Sequence, residues 1–319
     1  MITYPGIDAA KGHLASPAVA LGNFDGVHLG HQALLAEAVR RARPRSGAAV
    51  AFTFDPHPGK ILSPEFAPPL LCTLERRLQL FEAAGLDAVV VQPFDRGYAA
   101  LSAEEFLERD LIGALRARDL VVGSDFTYGR ARQGTVESLR LQCADRGVGL
   151  AVIRPVDVDG LVVSSTKIRE FLLEGRVTAA ARLLGRPFDI SGEVVHGVGR
   201  GRSIGFSTAN VAPRTELVPG IGVYAVRAHL TGSRVLGGAA NIGRKPTFGD
   251  NQVTVEVHLF DFEGDLYGQT IAVEFLERLR GEQHFASTEA LARQIGEDVA
   301  RARRIVGAAP PPGPWGPRL

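Results

Sequence analysis

The sequence predicts an α/β fold, a doubly wound parallel sheet, followed by a small antiparallel β-barrel with a C-terminal helix. Two patterns support this prediction. In the first half of the chain, continuous apolar runs of strand length alternate with helix-length runs, which is typical of a parallel sheet covered by helices on both faces. In the second half, short β-rich runs follow one another with turn residues between them and little helix, which is typical of a barrel.

The composition is that of a globular protein: 45% of the 319 residues are hydrophobic, and the length favours about two domains. The 36 basic and 35 acidic residues give a net charge of +1, so no nucleic-acid or membrane partner is expected. No apolar run approaches the roughly 18 residues of a membrane span, and the N-terminus does not resemble a signal peptide. Cys72 and Cys143 are predicted to be free thiols in a cytoplasmic protein.

The first domain is predicted to span residues 1–186. Its strand-like runs are AVALGNF, AAVAFTF, DAVVVQPF, DLVVGSDF and VGLAVIRPV, and the helix-like runs between them are HQALLAEAVRRAR, LERRLQLFEAAG, SAEEFLERDLIGALRARD and VESLRLQCADRG. Ser102 and Glu105 have the spacing of a capping box at the start of the third helix. Two more helical runs, TKIREFLLEG and VTAAARLLGR, follow, and the boundary is expected between residues 183 and 192. Ligands of such sheets bind beyond the C-terminal ends of the strands.

The second domain is predicted to span residues 187–307. Its strand-like runs are ISGEVVHGVG, GVYAVRAHL, RVLGGAANIG, TVEVHLFDF and TIAVEFLERL, and they precede the amphipathic run STEALARQIGEDVARARRIV. Residues 308–319 are rich in proline and glycine and are predicted to be a disordered tail.

The stretch LGNFDGVHLGHQALL lies at a predicted strand-to-helix junction and allows three interpretations. Asp25, His28 and His31 are residue types that bind zinc, but zinc sites need three or four ligands, and His57 is the only nearby histidine to add. Loop histidines are also often simply solvated.

The third interpretation is phosphate binding. The N-terminus of a helix attracts anions through its backbone N–H groups and its dipole. Gly22, Gly26 and Gly30 would let a phosphate chain approach the backbone, and His28 and His31 stand about one helical turn apart.

Three segments resemble the nucleotidyltransferase superfamily, in the order that this superfamily has them. GNFDGVHLGHQ is similar to its GxFDGxHxGH motif, VVGSDFTYG to VGxDFxFG, and VVSSTKIREFL to SSTxIR. The resemblance implies a nucleotidyltransferase-like sheet on which His28 and His31 bind the phosphates of ATP and stabilise charge at the α-phosphorus. It also implies a set of nucleotide-binding residues: Gly22, Phe24, Gly30, Asp125, Ser165, Thr166 and Arg169.

The stretch GVGRGRSIGFSTANV opens the second domain. Gly201, Arg202 and Gly205 belong to a glycine-rich basic loop that is suited to phosphates. Thr208 and Asn210 are two residues apart, so on an extended segment they share a face and offer the oxygen ligands that Mg²⁺ accepts. Taken alone, this pair is more typical of a polar strand edge than of a magnesium site.

The segments GRSIGFSTAN, GIGVYAV, NIGRKPTFG, VEVHLFDFEGDLYGQTIAVEF and LRGEQHF resemble the bacterial riboflavin kinase module over about residues 190–305. The whole chain therefore resembles the bacterial family of bifunctional riboflavin kinases and FAD synthetases (FMN adenylyltransferases). The resemblance implies that Glu256 is the general base that accepts the proton of the riboflavin 5′-hydroxyl. Glu256 alternates with Val255 and Val257, so if these two valines face the core, Glu256 is predicted to face the other side of the barrel. Ser207 departs from the Pro-Thr-Ala-Asn of the family, but the ligand side chains at 208 and 210 remain, so kinase activity is expected to survive.

The flavin contacts are poorly marked in the sequence. Aromatic residues near predicted strand ends could stack on the flavin ring, and two charged residues near the last strand are further candidates: Phe54, Phe126, Tyr128, Glu277 and Arg280. The cofactors expected from the resemblance are Mg²⁺, ATP as co-substrate, and riboflavin, FMN and FAD as substrates and products. The partners are small molecules, and the sequence predicts no oligomeric state.

Three alternatives remain open from the sequence. The first is a monofunctional adenylyltransferase with a flavin-binding, kinase-inactive barrel. The second is an adenylyltransferase for another phosphate, such as phosphopantetheine or nicotinate mononucleotide, although such an enzyme has no need of a kinase-like half. The third is a binding module, for instance for nucleic acid, which would want a basic face with exposed aromatic residues.

Overall fold

A computed structural model describes residues 1–196, 206–247 and 250–319, and the side chains of all of these except residues 245–247 and 250–252. The chain forms two compact units. The first contains Met1–Pro69 and Leu74–Val163, and the second contains Leu70–Thr73 and Ser164–Leu319. No helix of the described residues is both long enough and apolar enough to cross a bilayer.

The first unit alternates strands and helices. Its strands are β1 (Ile2–Tyr4), β2 (Ala18–Leu21), β3 (Ala49–Asp55), β4 (Ala88–Pro93), β5 (Asp119–Gly123), β6 (Thr127–Tyr128), β7 (Gly134–Thr135), β8 (Gly149–Ile153), β9 (Asp157–Val158) and β10 (Leu161–Val162). Its helices are α1 (Ile7–Ala10), α2 (Leu29–Ala42), α3 (Pro58–Leu62), α4 (Leu74–Ala83), α5 (Arg96–Ala99), α6 (Ala103–Glu105) and α7 (Val136–Asp145).

Six strands of this unit form one parallel sheet in the order β1-β4-β3-β2-β5-β8. The central strands are apolar along their whole length because helices cover them; all four residues of β2 are buried. The strand order reverses between β2 and β5, and at such a reversal the loops diverge and leave a crevice beyond the strand ends. The predicted doubly wound parallel sheet is thus confirmed.

The sequence did not predict two features of the first unit. The edge strand β1 pairs with β4 over only three residues, too few for a recognisable pattern. The run after Ser102 was predicted to be one helix, but α6 continues into a π-helical segment at Phe106–Ala114. The capping box itself is confirmed, because the Glu105 N–H donates to Ser102 Oγ at 3.1 Å and the Ser102 N–H donates to Glu105 Oε2 at 2.7 Å.

The second unit begins with two helices and continues as a barrel. Its helices are α8 (Ser165–Leu173), α9 (Val177–Leu184) and α10 (Thr288–Ala308), and its strands are β11 (Phe188–Val195), β12 (Ala209–Pro213), β13 (Gly222–Leu230), β14 (Arg234–Thr247), β15 (Asp250–Leu259) and β16 (Thr270–Arg280). The described strands close in the order β11-β12-β15-β14-β13-β16, and all neighbouring pairs among them are antiparallel. Ala302 of α10 packs with Val223 and Ala225 on the outside of the barrel. The predicted barrel with a C-terminal helix is confirmed.

The two compact units divide at Val163, whereas the sequence places the domain boundary at residues 186 and 187. Helices α8 and α9 group with the barrel because they pack on it: the Gly220 N–H donates to Leu172 O at 2.8 Å, and Arg278 Nη1 donates to Glu174 O at 3.3 Å. The predicted boundary remains a prediction about the functional domains.

The C-terminal residues 308–319, for which the sequence predicts disorder, make contacts in the second unit. The carbonyl oxygen of Pro310 accepts a hydrogen bond from Arg227 Nη1, and Pro317 is buried. The disorder of this tail remains a prediction, and these two contacts argue against it.

Candidate active sites

The stretch with the paired histidines lies at the C-terminal end of β2, where the strand order of the sheet reverses. The loop that follows β2 leads into α2, and residues after β5, including Asp125, lie at the same edge of the sheet because β2 and β5 are parallel neighbours. This position is the one that the sequence predicts for a ligand site.

The loop between β2 and α2 has an unusual backbone. Phe24 and Val27 have positive φ angles of 52° and 39°, a region that residues other than glycine rarely occupy. The Phe24 side chain is fully buried, and its ring lies 5.4 Å from that of Phe81 and 5.3 Å from that of His31, both edge to face. A Cβ at Gly22 would lie 3.2 Å from the Phe24 ring, so Gly22 leaves room for that ring. Side-chain packing therefore fixes the loop.

His28 is the N-cap residue of α2. Its Nδ1 accepts a hydrogen bond from the His31 N–H at 3.3 Å, so in this geometry the ring carries its proton on Nε2 and can donate from there. The two imidazole rings stack with centroids 3.6 Å apart and planes 16° apart. A Cβ at Gly30 would lie 3.2 Å from Nδ1 and Cε1 of His28, which explains the glycine beside the second histidine.

Gln32 lies in the candidate site, although the sequence analysis does not single it out. Its Nε2 donates to the carbonyl oxygen of Val27 at 2.9 Å and so ties the first turn of α2 to the positive-φ residue in front of it. The residue stands directly after the second histidine, but a glutamine at a helix start carries no recognisable signal in the sequence.

The described residues contain no set of side chains that supports the zinc interpretation. Among the described residues, no three His, Cys, Asp or Glu side chains are grouped so that they could hold a metal ion. Asp25 is buried, and His57 caps α3, where its Nδ1 accepts the Gly59 N–H at 3.1 Å. The chemistry of the first site is therefore that of two stacked imidazoles at the positive end of a 14-residue helix.

Asp125 follows β5 and is exposed. A Cβ at Gly123 would lie 3.0 Å from Asp125 Oδ1, so the carboxylate lies close over the end of the strand. The aromatic flavin candidates belong to one chain of ring contacts at this edge of the sheet. Phe126 stacks on Tyr128 at 5.6 Å, and Phe54 contacts Tyr98 at 6.0 Å.

These aromatic candidates differ in exposure. Phe54 and Phe126 are half-buried, whereas Tyr128 is buried and its hydroxyl donates to Gln142 Oε1 at 3.0 Å. Burial raises the pKa of the Tyr128 phenol. Tyr128 thus has the surroundings of a core residue, and the two phenylalanines are the rings with accessible surface.

Ser165, Thr166 and Arg169 form the start of α8 in the second unit. The N-cap of this helix is Ser164, whose Oγ accepts the Lys167 N–H at 3.2 Å. Thr166 is exposed, Ser165 is half-buried and Arg169 is buried. The two hydroxyl groups therefore lie on the first turn of a helix, where its dipole favours anions.

The second candidate site centres on Glu256 of β15. Val255 and Val257 are buried on the inner face of the barrel, so Glu256 lies on the other face and is half-buried, as the alternation in the sequence predicts. In the register of the sheet, Glu256 stands opposite Asn210 of β12 on one side and opposite Asn241 of β14 on the other. A carboxylate is thus flanked by two amide-bearing residues on the same face.

Asn210 stands opposite Glu256 within β12, and Thr208 directly precedes this strand; both are half-buried. The segment in front of them is anchored by His258, whose Nδ1 lies 2.9 Å from the carbonyl oxygen of Ser207. A carbonyl only accepts hydrogen bonds, so Nδ1 carries the proton. The ring of Phe206 contacts the His258 ring edge to face at 5.4 Å.

Three predicted residues, Gly201, Arg202 and Gly205, lie outside the described residues. Asn241 was missed by sequence reasoning, because its place beside Glu256 follows only from the strand register. Two weak flavin candidates have partners on α10. Glu277 pairs with Arg301 at 2.8 Å, and Arg280 Nη2 pairs with Asp298 at 2.9 Å.

Comparison with known proteins gives two family matches. The FAD synthetase family matches residues 11–167, and the riboflavin kinase family matches residues 184–306. Each match contains one of the candidate sites described above: the first includes the histidine loop and Asp125, and the second includes Thr208, Asn210 and Glu256.

Curated relatives match nearly the whole chain. A bifunctional riboflavin kinase/FMN adenylyltransferase of Escherichia coli K12 is 39% identical over 92% of this chain and 94% of its own length. Proteins of the same description from Pseudomonas fluorescens and Bacillus subtilis are 42% and 38% identical over 91% and 92% of this chain. A crystal structure from Streptococcus pneumoniae, described as a macrolide-efflux protein, superposes with a TM-score of 0.87 at 32% identity over 95% of this chain and 99% of its own.

Proposed function

The chain belongs to the family of bifunctional riboflavin kinases and FMN adenylyltransferases, and on that premise we propose that it makes FAD from riboflavin in two steps. The barrel transfers the γ-phosphoryl group of ATP to riboflavin and releases FMN and ADP. The first unit transfers AMP from a second ATP to FMN and releases FAD and pyrophosphate. The observation that carries the proposal is that each of the two family matches contains its own candidate site.

For adenylyl transfer, we propose that His28 and His31 bind the phosphates of ATP at the start of α2. An FMN phosphate oxygen attacks the α-phosphorus, the bond from that phosphorus to the bridging oxygen breaks, and pyrophosphate leaves with the bonding electron pair. The proton on His28 Nε2 and the positive end of the helix stabilise the charge that develops. The reaction needs positioning and charge stabilisation rather than a covalent intermediate.

The other residues predicted for adenylyl transfer have supporting roles in the proposal. Gly22, Phe24 and Gly30 shape the loop, and Asp125 positions the nucleotide. Phe54 and Phe126 are proposed to contact the flavin ring, with Tyr128 behind Phe126. Ser165, Thr166 and Arg169 are proposed to bind phosphate oxygens at the start of α8, where a buried guanidinium is suited to a two-pronged phosphate contact.

For phosphorylation, we propose that Glu256 accepts the proton of the riboflavin 5′-hydroxyl while that oxygen attacks the γ-phosphorus of ATP. The bond from the γ-phosphorus to the bridging oxygen breaks, and ADP leaves. The flanking positions of Asn210 and Asn241 support this role, because they place hydrogen-bonding side chains on both sides of the carboxylate.

Thr208 and Asn210 are proposed to hold Mg²⁺. Their hydroxyl and amide oxygens are hard ligands, and the register that places Asn210 beside the Glu256 carboxylate fits a cation there. When bound, Mg²⁺ would neutralise charge on the phosphates of ATP. Gly201, Arg202 and Gly205 remain predicted phosphate contacts. Glu277, Arg280 and a cytoplasmic location also remain predictions.

A product assay on separate variants tests the two-site proposal. Glu256→Gln keeps the size of the side chain but removes the base, so FMN formation should fall roughly 10²- to 10⁴-fold while supplied FMN is still converted to FAD. His28→Asn keeps an N-cap acceptor but removes the imidazole, so FAD formation should fall roughly 10²- to 10³-fold while FMN formation persists.

The design discriminates between the alternatives. If wild-type protein forms FAD from FMN but no FMN from riboflavin, the barrel is kinase-inactive. If it adenylylates phosphopantetheine or nicotinate mononucleotide in preference to FMN, the flavin assignment is wrong. If either substitution abolishes both reactions in folded protein, the sites are not independent.

A further inference from the structure

Arg77 of α4 is a buried cation to which the two proposed reactions assign no role. Its side chain is 4% exposed, although a neutral side chain of similar length would avoid the cost of removing a charge from water. Arginine in an amphipathic helix usually faces solvent, so the burial of this one calls for a reason.

The partners of the guanidinium are mainly uncharged oxygen atoms near the histidine loop. Nη1 donates to the carbonyl oxygen of Asn23 at 2.7 Å, and Nη2 donates to that of Phe54 at 3.5 Å. Among the described residues, the carboxylate that pairs with it, that of Asp55, lies 3.9 Å from Nη2 and is half exposed. Among the described residues, Nε has no hydrogen-bond partner. The charge is therefore not balanced by a close ion pair.

A second donor converges on the same carbonyl. The hydroxyl of Thr53, which is fully buried on β3, donates to Asn23 O at 3.2 Å and lies 3.4 Å from Arg77 Nη1. Asn23 thus has its carbonyl oxygen fixed by two side chains from two different elements.

The next residue explains why this carbonyl needs to be fixed. Phe24 has a φ of 52°, and such a conformation persists only where the surroundings over-determine it. Its ring reaches the His31 ring, and His31 in turn stacks on His28. Any rotation of the Asn23–Phe24 peptide would therefore be passed on to the imidazole pair.

We propose that Arg77 is a positioning residue for phosphate binding, acting through the carbonyl of Asn23 to hold the loop that orients His28 and His31. This inference rests on the proposed binding of ATP phosphates by that loop. Arg77 does not touch the nucleotide; its charge strengthens the hydrogen bond that fixes the loop, because charge-assisted hydrogen bonds are stronger than neutral ones.

Steady-state kinetics of FAD synthesis from FMN separate positioning from mere stability. Arg77→Met removes the charge and the donors, and we expect KM for ATP to rise roughly tenfold or more, the loss that follows from one hydrogen bond to a charged group. Arg77→Lys keeps a charged donor and should fall between Arg77→Met and wild type. Thr53→Val removes the second donor and should shift KM in the same direction by less.

Two controls accompany these variants. FMN formation from riboflavin reports the integrity of the barrel and should stay unchanged. Arg146→Met removes another arginine of the first unit, one that pairs with Glu108 away from the loop, and should leave KM for ATP as in wild type. Thermal unfolding gives the folded fraction of each variant, which scales the observed kcat but not KM.

The inference is overturned if folded Arg77→Met has the wild-type KM for ATP, or if its whole loss lies in the folded fraction. If that variant does not fold, unchanged KM values in both Arg77→Lys and Thr53→Val overturn it equally. A wild-type protein that makes no FAD from FMN would instead refute the proposed function, so the two failures are distinguishable.

Discussion

His28 caps a helix, and in our proposal the same side chain also binds phosphate. Its Nδ1 caps α2, and that hydrogen bond leaves the proton on Nε2, where it can meet a phosphate oxygen. The cap also fixes the ring against His31, so orientation and helix stability have the same source. A sequence shows the histidines and their spacing, but the tautomer follows only from the contact with the His31 N–H.

Gly30→Ala tests the close approach of the glycine to the His28 ring. The added Cβ would lie 3.2 Å from that ring, tighter than ordinary van der Waals contact, so the imidazole must shift. We expect FAD formation to fall roughly tenfold, since small displacements of a positioning group are costly, and FMN formation to be unchanged.

The matched control is Gly296→Ala on α10, where an added Cβ meets no atom within 4 Å. It should leave both rates unchanged and slightly stabilise the helix. Wild-type FAD formation by Gly30→Ala would show that the ring contact does not matter for the reaction.

The candidate site residues that the sequence predicts lie in local motifs, whereas those that it misses do not. The histidines, Glu256 and the Thr208–Asn210 pair stand in local motifs. Arg77 and Asn241 have no local motif, because an arginine on a helix and an asparagine on a strand are ordinary at the surface. The roles proposed for them depend on tertiary contacts and strand register.

At the level of elements, the strand register of the barrel brings together the residues of the second candidate site. Glu256 lies between Asn210 and Asn241 only because β15 pairs with β12 on one side and β14 on the other. Apolar alternation predicts which face a residue occupies, and it did so correctly for Glu256, but it cannot predict which residues stand opposite. Hydrophobic periodicity also cannot predict very short elements such as β1, or the change from α6 to a π-helical segment.

The pairing of Arg280 with Asp298 of α10 favours a structural role for Arg280, beside the flavin contact that the sequence predicts. Its guanidinium pairs with Asp298 at 2.9 Å, and the Asp298 side chain is only 9% exposed. Arg280→Met would leave a buried carboxylate with a lost partner. We expect a loss of stability of about 2 kcal/mol, seen as a lower Tm, with KM for riboflavin unchanged.

Arg303→Met is the control, because it removes an ion pair with Asp261 that is well exposed and should leave Tm near that of wild type. A higher KM for riboflavin at an unchanged Tm in Arg280→Met would favour the flavin role instead.

At the level of the whole molecule, the sequence predicts two folds and their order, and both are confirmed. The boundary between the two units is harder to predict from the sequence. Helices α8 and α9 are amphipathic, but an apolar face does not reveal which neighbour covers it, and in the structure they pack on the barrel. The two family matches, over residues 11–167 and 184–306, leave most of these two helices between them.

The central claim is that one chain catalyses two separate group transfers, of a phosphoryl group to riboflavin and of AMP to FMN, each from its own ATP. Incubation of riboflavin with ATP labelled either at the γ-phosphorus or at the α-phosphorus tests this most directly. FMN should carry only the γ-label, and FAD should carry the γ-label from one ATP and the α-label from another. FMN without γ-label, or FAD that lacks either label, would contradict the account.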